Sequence, residues 1–292
     1  AVMTKIKVVA LDLDGTVLST KHELSEKTKS VLRRLSDKGV TIVIATGRSP
    51  PCLTKYFTSM ELSQTSWPGV SYNGACGIVW SAQLSSDGSR SQENVFLDSV
   101  PAERALQIIS FAEETGSVAQ YYNPVLGEAF AVPTTDEHRV LLKRYAELVS
   151  RPQILVKHYD EAIALSPAAK VLILSDQAHA VVEIAKKKFT PEEFNIFIGS
   201  PDPYFIEFLR PDVSKGSGLV KLCAHLNVDI QQVVAFGDGN NDQEMLTFAG
   251  IGVAMKNATP TAKAAANVVL EWTNDEDGVA RYLEYMESEG YF

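Results

Sequence analysis

The chain has 292 residues, 45% of them hydrophobic and 22% charged, enough for about two folded domains at roughly 150 residues each. Its 27 Lys and Arg against 36 Asp and Glu leave a formal net charge of -9, which opposes general attraction to nucleic acid or an anionic membrane. No apolar run approaches the roughly 20 residues of a membrane helix, and no hydrophobic signal core precedes Lys5, so a cytoplasmic location is expected. Cys52, Cys76 and Cys223 have no metal-ligand spacing and are expected to be buried free thiols.

Ile6 to Leu11 is a β-branched apolar run ending at Asp12, which predicts a buried parallel strand. The chain turns at Gly15. Ser25 then caps a predicted helix through Val31, Leu32 and Leu35, closed by Gly39, and Val40 to Ala45 forms a second buried strand. A helix near Leu53 to Met60 precedes strand-like Val70 to Tyr72, the turn-prone Asn73-Gly74 and a strand over Gly77 to Trp80. Polar Ser85 to Glu93 reads as a loop or linker.

From about Leu84 to Glu207 the pattern changes, as an inserted domain requires. A helix over Ala102 to Glu114 precedes strands over Val118 to Tyr122 and Glu128 to Val132. A strand over Val171 to Leu174, a helix over Ala178 to Phe189 and strands over Phe194 to Ile198 and Tyr204 to Leu209 follow. The first pattern then resumes. Leu219, Leu222, Cys223 and Leu226 have helical spacing; Val233 to Phe236, Gly252 to Met255 and Val268 to Leu270 are strands. Asn274 or Asp275 caps a last helix that buries Val279, Tyr282, Leu283 and Met286.

In Asp12-Leu13-Asp14-Gly15-Thr16 the first carboxylate ends a buried strand, where ligand crevices form in open α/β sheets. Asp238, Asn241 and Asp242 stand after another predicted strand. If these carboxylates converge, each pair repels by about 4 kcal/mol at about 4 Å and an effective dielectric of roughly 20, so a cation must compensate. Oxygen donors suit Mg2+ better than zinc. An EF-hand calcium loop is excluded, because its required sixth-position glycine is Val17 in one segment and Gln243 in the other. Thr46-Gly47-Arg48 closes the second strand with a hydroxyl and backbone amides able to hold a phosphate oxygen. Lys215 precedes a helix and can place an ammonium beside that phosphate.

The ordered set Val8 to Thr16, Ile44 to Arg48, Val213 to Gly216, and Gly237 to Asp242 with Glu244-Met245-Leu246 resembles the motifs of haloacid dehalogenase-like hydrolases. Ser71 to Ala75, the insertion between the second and third motifs, and Asp277 to Ala280 resemble the Cof-type branch with a type IIB cap. The resemblance implies an α/β fold, a doubly wound Rossmann-like parallel-sheet core of residues 1–83 and 208–292 with an inserted α+β cap domain of residues 84–207. It implies an Mg2+-dependent phosphatase acting on a small phosphorylated metabolite, a sugar phosphate or cofactor phosphate, with neither nucleic acid nor membrane as partner. Oligomeric state has no sequence signal.

Asp12 is then the nucleophile that forms an aspartyl-phosphate, and Asp14 the general acid and later base, with nearby negative charge expected to keep it protonated. Thr46 binds phosphate and Lys215 orients Asp12. Gly15, Thr16, Gly47, Arg48, Asn73 and Asn241 are phosphate- or substrate-binding candidates. Asp12, Asp14 (through its backbone carbonyl), Asp238 and Asp242 are expected to hold the metal, with Asn241 in support. Tyr121, Tyr122, His138, Arg139 and Lys170 are cap groups weighed as substrate contacts against ordinary packing. The competing readings are a sugar phosphomutase or phosphotransferase and a non-catalytic metabolite sensor.

Overall fold

The structure, a computed structural model, describes residues 5–124, 126–199 and 203–292. The chain divides into two compact units, Ala1–Phe96 with Ser214–Phe292, and Leu97–Val213. In the first, β1 (Val8–Leu11) is buried at every position, as a central parallel strand requires. α1 (Glu26–Asp37) begins at Ser25, whose hydroxyl accepts the Thr28 amide at 3.0 Å, and leads to β2 (Thr41–Ala45), parallel to β1. α2 (Thr54–Met60) leads to β3 (Ser66–Ser71), parallel to β2, and β4 (Cys76–Ser81) returns antiparallel. β5 (Gln92–Leu97) lies beside β4. The expected linker is thus a turn, in which the Ser85 amide donates to Ser89 at 2.7 Å, followed by a strand. Only Val95 and Phe96 of that strand pack on the core, so this edge strand lacks the apolar alternation that would reveal it.

The second unit runs α3 (Ala102–Glu114), β6 (Val118–Asn123), β7 (Glu128–Ala131), α4 (Asp136–Val149), β8 (Ile154–Leu155), α5 (Asp160–Ile163), β9 (Lys170–Leu174), α6 (Ala178–Lys188), β10 (Asn195–Ile198) and β11 (Phe205–Leu209). Its sheet has the order β10-β11-β9-β6-β7-β8, antiparallel except for β7 with β8. Tyr121, Val171, Ile173, Ile206 and Phe208 from one face join Ile108 and Phe111 of α3 and Val181 and Ala185 of α6 in a single core. The expected boundaries at 84 and 207 therefore move to 97 and 213. β5 belongs to the first sheet, and a cut at 207 would split β11, which pairs with β9 from Phe205 to Phe208. The sequence reading also omits α4, whose buried Leu141, Leu142 and Tyr145 are a thin stripe among charges.

Back in the first unit, α7 (Lys215–His225) leads to β12 (Val233–Gly237), parallel to β1. α8 (Gln243–Phe248), β13 (Ile251–Ala254), α9 (Pro260–Ala265), β14 (Val268–Val269) and α10 (Gly278–Ser288) complete it. α10 starts later than Asn274 or Asp275 because those residues form a 3-10 turn, and Asp277 at φ 58 redirects the chain. The strand order is β14-β13-β12-β1-β2-β3-β4-β5. Winding proceeds outward in both directions from the β12/β1 junction, so the carboxyl ends of β12, β1, β2 and β3 share one edge, where such sheets open a crevice. This is the doubly wound α/β arrangement expected.

Candidate active site

Asp12 follows β1 and Asp238 follows β12, adjacent parallel strands in matched register. Beyond Asp12 the chain closes a wide turn, in which the Val17 amide reaches the Asp12 carbonyl at 3.3 Å and the Leu18 amide reaches Leu13 at 3.0 Å. Gly15 sits at φ 78, and a Cβ there would fall 2.4 Å from an Asp238 carboxylate oxygen, so no other residue fits. Thr16 donates its hydroxyl to Asp238 Oδ1 at 2.7 Å, with a longer 3.5 Å contact to Asp12. Lys215 opens α7, fixed by a capping box between Ser214 and Ser217. Its buried ammonium donates to Asp12 Oδ1 at 2.6 Å and to Asp242 Oδ1 at 2.7 Å.

Asp12, Asp238 and Asp242 each present an oxygen within 4.8 Å of the others. Three carboxylates facing one ammonium leave two negative charges uncompensated when all are ionised. Burial first, and then the Asp242 charge, hold the Asp12 carboxyl well above the ordinary range despite Lys215. The same two causes push Asp238 up to about 7. For Lys215 burial opposes the charge, yet Asp12 and Asp242 outweigh it and hold the ammonium protonated. Such an all-oxygen, charge-deficient set fits a hard divalent cation such as Mg2+. Asp242 also accepts the Asp238 and Gly239 amides at 2.9 and 2.8 Å on Oδ2. With Lys215 on its other oxygen, it ties the segment after β12 to the start of α7.

The turn after β3 locks the remaining segments together. Tyr72, Asn73 and Gly74 have φ of 52, 54 and 105, a run of left-handed residues that costs backbone energy. The Asn73 amide donates to Thr46 O at 3.0 Å and the Tyr72 amide to Arg48 O at 3.1 Å. Asn73 Oδ1 accepts from Asn241 at 2.8 Å, and the same side-chain amide packs on Gly47. Gly74 lies so close to Ser214 that a Cβ would stand 1.9 Å from its carbonyl oxygen. Thr46 is buried beside this turn and accepts the Arg48 amide on its hydroxyl at 3.3 Å.

Asp14 departs from expectation. Arg48 grips it with two hydrogen bonds of 2.7 Å, Nε to Oδ2 and Nη2 to Oδ1, and His22 Nδ1 lies 2.9 Å from Oδ1. Although burial works the other way, the Arg48 hydrogen bonds and charge, and then His22, hold Asp14 below its ordinary value. The expected protonation by neighbouring negative charge is therefore corrected: the neighbours are cationic or hydrogen-bonding. Arg48, expected on phosphate, is committed to Asp14, and the Asp14 side chain stands outside the carboxylate cluster.

In the second unit, Tyr121 is a core residue donating to Ser166 O at 2.6 Å. His138 is buried on α4 with Nε2 3.1 Å from Gly116 O, and Arg139 is exposed. Lys170 is buried against Glu207 at 2.6 Å, 4.9 Å from the Tyr122 ring centre. Among the cysteines, Cys76 and Cys223 are buried and Cys52 only half-buried, because Cys52 lies on the short turn before α2. Sequence reasoning missed His22, whose signal was only its nearness to Asp14 in the chain. No described helix is long and apolar enough to cross a membrane.

A family profile described as haloacid dehalogenase-like hydrolase matches residues 9–283. The 5-amino-6-(5-phospho-D-ribitylamino)uracil phosphatase YitU of Bacillus subtilis (strain 168) is 32% identical over 293 aligned residues, 96% of this chain and 97% of that protein. A haloacid dehalogenase-like hydrolase from Bacteroides thetaiotaomicron is similar in structure, with a TM-score of 0.75 and 27% identity, covering 97% of this chain and 100% of that one. A solved HAD subclass IIB sugar phosphatase shares the fold at a TM-score of 0.77 and 23% identity, covering 98% of this chain and 100% of that one.

Proposed function

This chain belongs to the haloacid dehalogenase-like hydrolases and is a phosphatase, and from that premise we propose that it hydrolyses a small phosphorylated metabolite through an aspartyl-phosphate on Asp12 with Mg2+. The observation that carries this reading is the charge deficit at Asp12, Asp238 and Asp242 around Lys215. Asp12 and Asp238 would hold the ion together with the Asp14 carbonyl, while Asp242 aligns the cluster. When bound, Mg2+ supplies the positive charge that neutralises the phosphoryl oxygens.

The protein's own groups account for the rest. Lys215 fixes one oxygen of Asp12, leaving the carboxylate to present the other to phosphorus in line with the leaving oxygen. Thr46, oriented by the Arg48 amide, donates to a phosphoryl oxygen. As the phosphorus–oxygen ester bond breaks, Asp14 gives its proton to the departing alkoxide. Its carboxylate then takes a proton from the water that attacks the aspartyl-phosphate, releasing phosphate and restoring Asp12. The Arg48 and His22 contacts suit the base form, so a proton must be loaded onto Asp14 before the first step. The substrate reading is a primary phosphate ester of a sugar or cofactor precursor, in line with the phosphoribityl group in the name of the Bacillus relative.

Phosphate release from ribose 5-phosphate and 4-nitrophenyl phosphate, with chelator and with Mg2+, tests the whole reading. Wild type should incorporate oxygen-18 from water into phosphate only with Mg2+, and Asp12→Asn should be inactive while folded. Isomerised sugar phosphate without free phosphate would establish a mutase; turnover by Asp12→Asn would remove the nucleophile.

A further inference from the structure

The Asp14 carboxylate is held from two sides by unlike devices. Arg48 comes from the segment after β2, buried and bidentate. His22 comes from an exposed turn. It sits at φ 59, in the left-handed region that non-glycine residues uncommonly adopt. The turn is closed by the His22 amide on Ser19 O at 2.8 Å and the Ser19 amide on Glu23 O at 2.9 Å. It is then tied down from outside: Asp275 Oδ1 accepts the Thr20 amide at 2.8 Å and its hydroxyl at 3.2 Å, and Asn274 donates to Leu18 O at 2.9 Å. Asn257 extends the brace, donating to Gly15 O at 2.8 Å while accepting the Asn274 amide at 3.1 Å. A strained residue anchored by five hydrogen bonds from a distant segment and its own loop is ordered for a purpose, and the imidazole it delivers touches Asp14.

We infer that His22 is a positioning residue for the phosphatase reaction: braced by Asn274 and Asp275, it adds a third contact to the Asp14 carboxylate, on Oδ1, beside the two from Arg48. This rests on the proposed acid–base role of Asp14. Arg48 engages both oxygens, Nε on Oδ2 and Nη2 on Oδ1, and the His22 contact falls on Oδ1 alone, so the two oxygens of the acid are held unequally. His22 does not itself touch substrate.

The test is the leaving-group dependence of kcat/KM across phenyl phosphates from phenol to 4-nitrophenol, measured for wild type, His22→Gly, Asp275→Ala and Asp14→Asn. Glycine accepts φ 59 without strain, so His22→Gly should melt no lower than wild type. It should lose about tenfold on phenyl phosphate, the worth of one hydrogen bond to a charged group, and little on 4-nitrophenyl phosphate, whose leaving group needs no proton. Free imidazole should restore part of the loss. Asp275→Ala should show the same steepening in weaker form. An unchanged dependence in His22→Gly beside a steeper one in Asp14→Asn would overturn the inference and leave Asp14 as the acid. An unchanged dependence in Asp14→Asn would overturn the acid role, and the inference with it.

Discussion

Each unit buries a lysine among carboxylates, and the two do it differently. In the second unit Lys170 stands against Glu207 across adjacent strands, and the described ion pair joins one ammonium to one carboxylate. In the first, Lys215 stands among Asp12, Asp238 and Asp242, one ammonium for three. In a buried pair each charge faces its counter-charge, and removing one partner leaves the other uncompensated. An unmatched cluster is held together by the strands beneath it and carries excess negative charge that a bound cation would balance. The contrast teaches that stoichiometry, more than burial, separates a binding site from scaffolding.

The largest expected effect breaks the matched pair. Lys170→Met leaves the Glu207 charge buried without that ammonium and should cost about 3 kcal/mol or more in urea unfolding. Asp12→Asn, by contrast, relieves repulsion and should hold or raise stability in chelator at pH 8 while abolishing turnover. If both variants lose stability alike, the distinction between the clusters fails.

A middle-sized effect sharpens it. Asp12 and Asp238 titrate above their ordinary 3.8, Asp238 near 7, so the metal-free native state holds extra protons between these values. Raised carboxyls stabilise at low pH, and that contribution is lost as pH climbs from about 4 to about 7. Mg2+ must displace the Asp238 proton at pH 6 but much less of it at pH 8. The Mg2+-induced rise in Tm should therefore be larger at pH 8, whereas equal shifts at the two pH values would contradict the cluster's electrostatics.

The smallest effect lies at the surface. Arg34 and then Lys38 draw Glu287 down to about 2 at the junction of α1 and α10. A depressed carboxyl stabilises above its ordinary 4.5 and loses that contribution as pH falls toward 2. Glu287→Gln should cost about 1 kcal/mol or less at pH 7 and nothing at pH 2, by thermal melts.

What was legible in the sequence shares a physical trait. Asp12, Thr46 and Asp238 each end a buried strand, and β-branched apolar runs mark such strands from composition alone. Lys215 was legible as the start of a capped helix. The grip of Arg48 on Asp14 and the bond from Asn241 to Asn73 were not, because they join side chains 34 and 168 positions apart and depend on rotamers that no periodicity encodes. β5 and α4 escaped for a related reason: their buried faces are too narrow to leave a repeat.

The left-handed run from Tyr72 to Gly74 carries one more consequence. Because Thr46, Asn241 and the start of α7 all close upon it, these parts of the catalytic face are not independent modules. A molecule whose sheet has formed but whose turn remains open keeps Asp12 on its strand end but lacks the turn's contacts to Thr46, Asn241 and Ser214. Activity is then expected to fall in mild denaturant before the spectroscopic signal of the sheet changes.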